Sequence, residues 1–295
     1  MALLQEHHLP EPPPYMEYQG ILFPANIVKE ESLEAMKTFE IRDDDVVIVS
    51  HPKSGTNWMF EVVHKILGGK KEKSTPTLAG LEFWIQGERE PDYIQLRETP
   101  SPRLMYTHLQ PKMAPPGLAA PVNKVKAIVV LRNPKDICVS FYYFSQKSDH
   151  LKTPGSWEQY FKDFLDGNKL YGDYFDHVLG WWQMKDDPHF LFVKYEDMKK
   201  DFRSSVKTIA AFLEKELTDE HLASVLNSCS LESMRKTLAE SDTRRKNIVR
   251  NGTVGDWKNH FSAEESARFD QKYRERMAGT GLELDFDQRS GQNSL

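Results

Sequence analysis

The sequence predicts a single α/β domain, a central parallel sheet flanked by helices. Three observations carry this. Three short apolar runs, Val46–Val49, Ala127–Leu131 and Phe190–Val193, have the length and unbroken hydrophobicity of strands buried on both faces. A helical pattern follows each run, and strand–helix alternation of this kind builds parallel sheets. The first run also enters a short loop of Ser, Gly, Thr and Asn that opens a helix, a phosphate-loop-like strand–loop–helix.

In chain order, residues 1–17 read as a flexible lead-in, with the polar, proline-rich stretch Pro10 to Pro14 extended and loosely held, and 18–295 as the domain. After the first strand, Met59, Val62, Val63 and Ile66 recur at i, i+3, i+4 and i+7, one face of a helix. After the second come Ile137, Ser140, Phe141 and Phe144, with Asn133 placed as N-cap and Pro134 in the first helical position. After the third come Phe202, Val206, Ile209 and Leu213. Ser262 and Glu265 have capping-box spacing ahead of a last helix running to about Met277. From Ser241 to Gly255 charge, Asn and Gly cluster without periodicity; a loop that long is functional or disordered.

The 295 residues are 39% hydrophobic and 28% charged, a globular balance. A net charge of −5 argues against non-specific nucleic-acid binding, which needs a broad basic face. Any anionic ligand must be met by a few local cations and backbone N–H groups. Two cysteines, Cys138 and Cys229, are too few for a disulfide framework, and no Cys/His cluster has metal-ligand spacing, so no metal is expected. The N-terminus lacks the basic start and apolar stretch of a signal peptide, and no run of about 18 apolar residues suggests a membrane span. The expectation is a protein of the reducing cytoplasm.

The loop Ser50-His51-Pro52-Lys53-Ser54-Gly55-Thr56-Asn57-Trp58 offers a helix N-terminus with free N–H groups, a lysine, a glycine that lets backbone approach an anion, and side-chain donors. An ordinary βα turn uses the same residue types. A Walker loop is excluded, because Lys53 precedes Gly55 instead of following it and no second glycine stands five positions earlier.

Pro52–Trp58 resembles the 5′-phosphosulfate loop of the cytosolic sulfotransferases, and four further stretches stand in that family's order and spacing. Tyr106-Thr107-His108-Leu109 resembles its catalytic histidine segment, and Leu131-Arg132-Asn133-Pro134-Lys135-Asp136 through Ser140 its 3′-phosphate segment. Lys194-Tyr195-Glu196-Asp197-Met198 and Arg250 through Lys258 resemble the remaining cofactor contacts, and the likeness spans roughly residues 18–285. It implies sulfuryl transfer from 3′-phosphoadenosine 5′-phosphosulfate (PAPS) to a small acceptor, leaving 3′-phosphoadenosine 5′-phosphate (PAP).

The roles that follow are those the resemblance implies. Lys53, Ser54, Gly55, Thr56 and Asn57 hold the 5′ side, with Lys53 against the bridging oxygen of the leaving phosphate. Arg132 and Ser140 clamp the 3′-phosphate, with Arg250, Asn251 and Gly252 completing it. Trp58 stacks on adenine, though a tryptophan opening a helix is by default core; Tyr195 orients the adenine edge, and Ser228, Cys229 and Leu231 stand where further adenine contacts fall. His108 takes the acceptor's proton, a role suited to an imidazole. Phe23, Pro24, Phe83, Trp84, Phe144 and Tyr171, with His108, stand where the family lines its acceptor pocket; aromatics there serve a core equally well. Phenols, steroid alcohols and arylamines all fit such a pocket.

The chain departs from the family pattern in places. Tyr106 stands where many relatives carry a lysine, Asn251 replaces the lysine of the Arg-Lys-Gly motif, Cys229 replaces a Thr or Ser, and Leu231 an aromatic. Of the C-terminal dimer signature only Lys258 survives, with Ser262, Ala263 and Ala267 at its other positions, so a stable homodimer through this patch is not expected. Two other readings stay open on the residues: a small-molecule kinase on the same scaffold, and a nucleotide-binding member that has lost turnover.

Overall fold

The structure, a computed structural model, describes residues 14–69, 79–84, 90–148, 151–241 and 250–287. Its strands are β1 (Tyr15–Tyr18), β2 (Ile21–Pro24), β3 (Val46–Ser50), β4 (Leu104–Thr107), β5 (Lys126–Leu131) and β6 (Phe190–Lys194). Its helices are α1 (Glu30–Ala35), α2 (Thr56–Ile66), α3 (Asp92–Glu98), α4 (Pro116–Ala119), α5 (Pro134–Lys147) and α6 (Trp157–Leu165). They continue with α7 (Tyr174–Trp182), α8 (Tyr195–Lys200), α9 (Phe202–Phe212), α10 (Asp219–Ser228), α11 (Leu231–Ser241) and α12 (Ala263–Met277).

The predicted parallel sheet is present, in the order β4-β3-β5-β6. Its strands read as continuous apolar runs because each face meets a core. Val47, Val49, Ala127 and Val129 point to one side, with Phe141, Phe161 and Trp181 from α5, α6 and α7. Val46, Ile48, Ile128 and Val130 point to the other, with Val62 and Val63 of α2, Val206 and Ile209 of α9 and Val225 of α10. The helix starts follow their cap chemistry. The Asn133 side chain accepts from the N–H groups of Lys135 and Asp136, and Ser262 and Glu265 form a reciprocal capping box.

Three features differ from the sequence reading. β4, at the sheet edge, is a fourth strand beyond the three predicted. Residues 15–17, assigned to the lead-in, pair as β1 with β2 across Tyr15↔Pro24 to Tyr18↔Ile21, because Gln19 and Gly20, both at positive φ, close a tight hairpin turn. The short helix α8 separates β6 from α9. Residues 1–13, with Pro10 to Pro13, and residues 242–249 of the Ser241–Gly255 loop lie outside the described residues.

The topology fixes where a ligand can sit. From β3 the chain goes to β4 on one side and then returns to β5 on the other, so the order reverses at β3, and ligands of open α/β sheets bind beyond the carboxyl ends of the strands at such a point. Register brings the four ends level: Val49 opposes Thr107, Ser50 opposes Val130, and Leu131 opposes Lys194. The residues just beyond are His51, His108, Arg132 and Tyr195.

Candidate active site

The loop after β3 is shaped for close backbone approach. Lys53 and Gly55 take positive φ of 71° and 110°, and Gly55 caps α2. A side chain at Gly55 would place Cβ 2.9 Å from Cδ2 of Tyr195, so the position requires glycine on both counts. The buried Thr56 hydroxyl lies 2.7 Å from Ser50 Oγ. The Ser54 hydroxyl is buried at the helix N-terminus with no hydrogen-bond partner among the described residues.

Cations converge here. Arg132 donates from Nη1 to the carbonyl of Lys53 at 2.8 Å and lies 4.3 Å over the Tyr195 ring. Lys53 Nζ sits 3.9 Å from the centre of the Phe144 ring. Arg250 pairs with Asp256 and covers the Tyr143 ring at 4.9 Å. Ser140, Tyr143 and Phe144 share one face of α5, and Ser140 is buried there. Burial, then the charges of Arg132 and Arg250, push the Lys53 amine down to about 7. Nε of Arg132 and Nε of Arg250 are buried without hydrogen-bond partners among the described residues. Positive groups held together with unanswered donors are suited to a polyanion.

Beside the cations is a partly aromatic wall. Trp58 donates from Nε1 to the Cys229 carbonyl at 2.8 Å and meets Tyr195 edge-on at 5.4 Å. The Tyr195 hydroxyl donates to the Gly252 carbonyl at 3.1 Å, and a Cβ at Gly252, whose φ is 65°, would meet Leu231 at 2.8 Å. The Asn251 carbonyl accepts from Arg235 of α11. Asn57 sits partly buried in the first turn of α2.

Across the β3–β4 boundary stands His108. Its Nδ1 lies 2.6 Å from the Ser50 carbonyl, which can only accept, so Nδ1 carries the hydrogen and Nε2 keeps a free lone pair. Burial, with the nearby His51 and Lys53, lowers its pKa to about 3, so the ring is neutral at pH 7. Tyr106 and Tyr171 stand edge-on to it, each at 5.4 Å, and Phe83 at 6.0 Å. Phe23 meets Tyr171 at 5.3 Å. Tyr106, in place of a cation, completes this aromatic cage.

The sulfotransferase domain family matches residues 43–281, most of the chain. The chain belongs to the sulfotransferase family. Sulfotransferase 2B1 of Rattus norvegicus is 40% identical over 278 residues, covering 90% of this chain and 80% of that protein. The amine sulfotransferase of Oryctolagus cuniculus is 36% identical over 95% of this chain and 96% of its own. Mouse sulfotransferase SULT7A1, solved in complex with PAP, shares the fold with a TM-score of 0.79 and 32% identity, covering 90% of this chain and 95% of that one.

Several residues of this sulfotransferase that its sequence did not single out support the site. Asp136 accepts from the N–H groups of Gly255 and Trp257 at 2.8 and 2.9 Å, tying the Arg250 segment to the start of α5. His51 and His177 are buried with ring centres 5.7 Å apart, and burial lowers His51 to about 4. Glu82, fully buried, accepts from the His108 N–H and the Thr107 hydroxyl, both at 2.9 Å. Its signal was available: one acid inside the apolar run Leu81 to Trp84. Among the described residues no helix is long and apolar enough to cross a membrane, and no group of three or more His, Cys, Asp or Glu is placed to hold a metal ion.

Proposed function

We propose that this sulfotransferase moves the sulfuryl group of PAPS to a hydroxyl or amine of a small, mostly apolar acceptor in the cytoplasm, releasing PAP. The observation that carries this is the convergence of three cations, Lys53, Arg132 and Arg250, with a neutral histidine beyond the carboxyl ends of the sheet. Unpartnered donors at Ser54, Arg132 and Arg250 beside the Trp58–Tyr195 wall fit a nucleotide with phosphates at both ends.

PAPS supplies an activated sulfuryl group on a phosphate leaving group. Lys53, Ser54, Gly55, Thr56 and Asn57 take its 5′ side; Arg132, Ser140, Arg250, Asn251 and Gly252 take the 3′-phosphate; Trp58, Tyr195, Cys229 and Leu231 enclose adenine. Nε2 of His108 takes the acceptor proton, while the Ser50 carbonyl holds Nδ1–H and so fixes the tautomer. Lys53 steadies the charge that develops on the leaving oxygen. Phe23, Phe83, Phe144 and Tyr171 line the acceptor side with His108. Phenols, steroid alcohols and arylamines suit this lining, and likeness to the rabbit amine sulfotransferase supports amines among them.

The test has two arms. PAP should raise the melting temperature and bind roughly 10–100-fold tighter than 5′-AMP, the worth of one charge-assisted contact to the 3′-phosphate, and Arg132→Ala should narrow that gap. His108→Ala should cut turnover by roughly 10²–10⁴-fold with PAP affinity unchanged. Equal affinity for PAP and 5′-AMP would remove the cofactor assignment, and near-normal turnover per folded molecule would remove His108 as the base.

A further inference from the structure

The segment 79–84 lies along the outer edge of β4. The Tyr106 N–H donates to the Ala79 carbonyl at 3.1 Å and the Leu81 N–H to the Tyr106 carbonyl at 2.9 Å. This places Phe83, a wall of the aromatic cage, one residue from Glu82. At Glu82 three donors form a relay. The Leu109 N–H donates to Thr107 Oγ1 at 3.1 Å, the Thr107 hydroxyl to Glu82 Oε2, and the His108 N–H to Glu82 Oε1. All point toward the acid. An ionised carboxylate offers acceptors alone and meets both donors that reach it; a protonated acid or an amide adds a donor of its own beside the Thr107 hydroxyl and the His108 N–H in a fully buried place.

We propose that Glu82 is a positioning residue that, as a carboxylate, locks the backbone of His108 against the acceptor wall, so that loss of its charge loosens the base. The titratable groups facing it are His108 from the β4 end, Asp92 from the start of α3, and Tyr171 from the loop before α7. Burial first, and the charge of Asp92 last, push the Glu82 carboxyl up to about 7, against the hydrogen bonds from His108 and Thr107. The lock therefore changes state near neutral pH.

The kinetic arm rests on His108 being the base, so a second arm uses no turnover. In full-length protein labelled with ¹⁵N-histidine, the His108 amide, assigned by its loss in His108→Gln, should move downfield as pH rises from 5.5 to 8.5, with a midpoint near 7. Glu82→Gln should abolish that titration. With PAPS and 2-naphthol, Glu82→Gln should lower kcat/KM about tenfold at pH 8, the factor carried by a charge-assisted hydrogen bond, and flatten the acid limb. PAP affinity should stay within about twofold. The variant should melt no lower than wild type at pH 8, since a raised carboxyl pKa means that the ionised form weakens the fold. An amide shift that is flat in wild type, or unchanged in Glu82→Gln, overturns the proposal. So does a large fall in melting temperature with intact specific activity. Absence of any 2-naphthol turnover in wild type would bear on the proposed reaction, while the amide titration still decides the role of Glu82.

Discussion

Binding of PAP should draw a proton into the protein at pH 8. In the free protein the Lys53 amine is held at about 7 by burial and by the charges of Arg132 and Arg250. The negative charge of a polyanion beside it outweighs both effects and returns the amine to its charged form. At pH 8 an amine with a pKa of about 7 is roughly nine-tenths deprotonated, so binding should take up about 0.9 proton, about half at pH 7 and about a tenth at pH 6. Affinity should accordingly fall by up to about tenfold per pH unit above 7. Calorimetric titration of PAP at pH 8 in HEPES and in Tris gives the count, because the observed heat then varies with the buffer's ionisation enthalpy in proportion to protons taken up. His108 contributes little at this pH, since its pKa starts from about 3. Lys53→Met should bind PAP more weakly and without uptake. Zero uptake or proton release in wild type, or an undiminished count in Lys53→Met, would refute the reasoning.

Two further outcomes are expected. His51 is buried neutral among Phe141, Phe164 and Tyr174, with a folded pKa of about 4 against an ordinary 6.5. The unfolded chain takes the proton first, so wild type loses stability as pH falls from 6.5 to about 4. His51→Phe should remove about 3 kcal/mol of that acid loss in denaturant melts at pH 7 and pH 4, and an equally steep loss in the variant would place the sensitivity elsewhere. Gly55→Ala should cost about 1–3 kcal/mol through its positive φ and lower PAP affinity by displacing the Tyr195 ring, read by melting and titration; wild-type affinity would show that the loop does not need the close approach.

What the sequence disclosed follows from how locally each feature is specified. β3 and β5 were legible because both their faces are buried, and β6, at the edge opposite β4, because Phe190–Val193 is apolar throughout. β4 lies at the sheet edge, with Leu104 and Tyr106 only partly buried, and its anchor, the buried Arg103–Asp45 ion pair, joins residues distant in sequence. The hairpin β1–β2 was hidden by the prolines before it, although Gln19-Gly20 is a turn signal. The segments that carry Lys53, Arg132 and Arg250 were legible as motifs, and the fold brings these three cations together. The supports were not, because their partners come from afar: Glu82 reaches 26 residues to His108, and Asp136 reaches 119 to Gly255. In the segment Lys258–Ala267, Ser262 caps α12 and Lys258 pairs with Asp287 at 2.6 Å.

Ser50 ends β3 with two commitments: its hydroxyl meets Thr56 on the anion loop, and its carbonyl holds Nδ1 of His108. On the proposed reading, one residue of a fully buried strand is the common datum from which donor and base are both measured. The line along which sulfur travels is then set by the sheet, not by whichever molecule fills the aromatic cage. Drift in Phe83, Phe144 or Tyr171 would reshape the menu of acceptors while leaving the span between nucleophile and sulfur untouched. A scaffold of this kind can broaden its substrates without re-solving its chemistry.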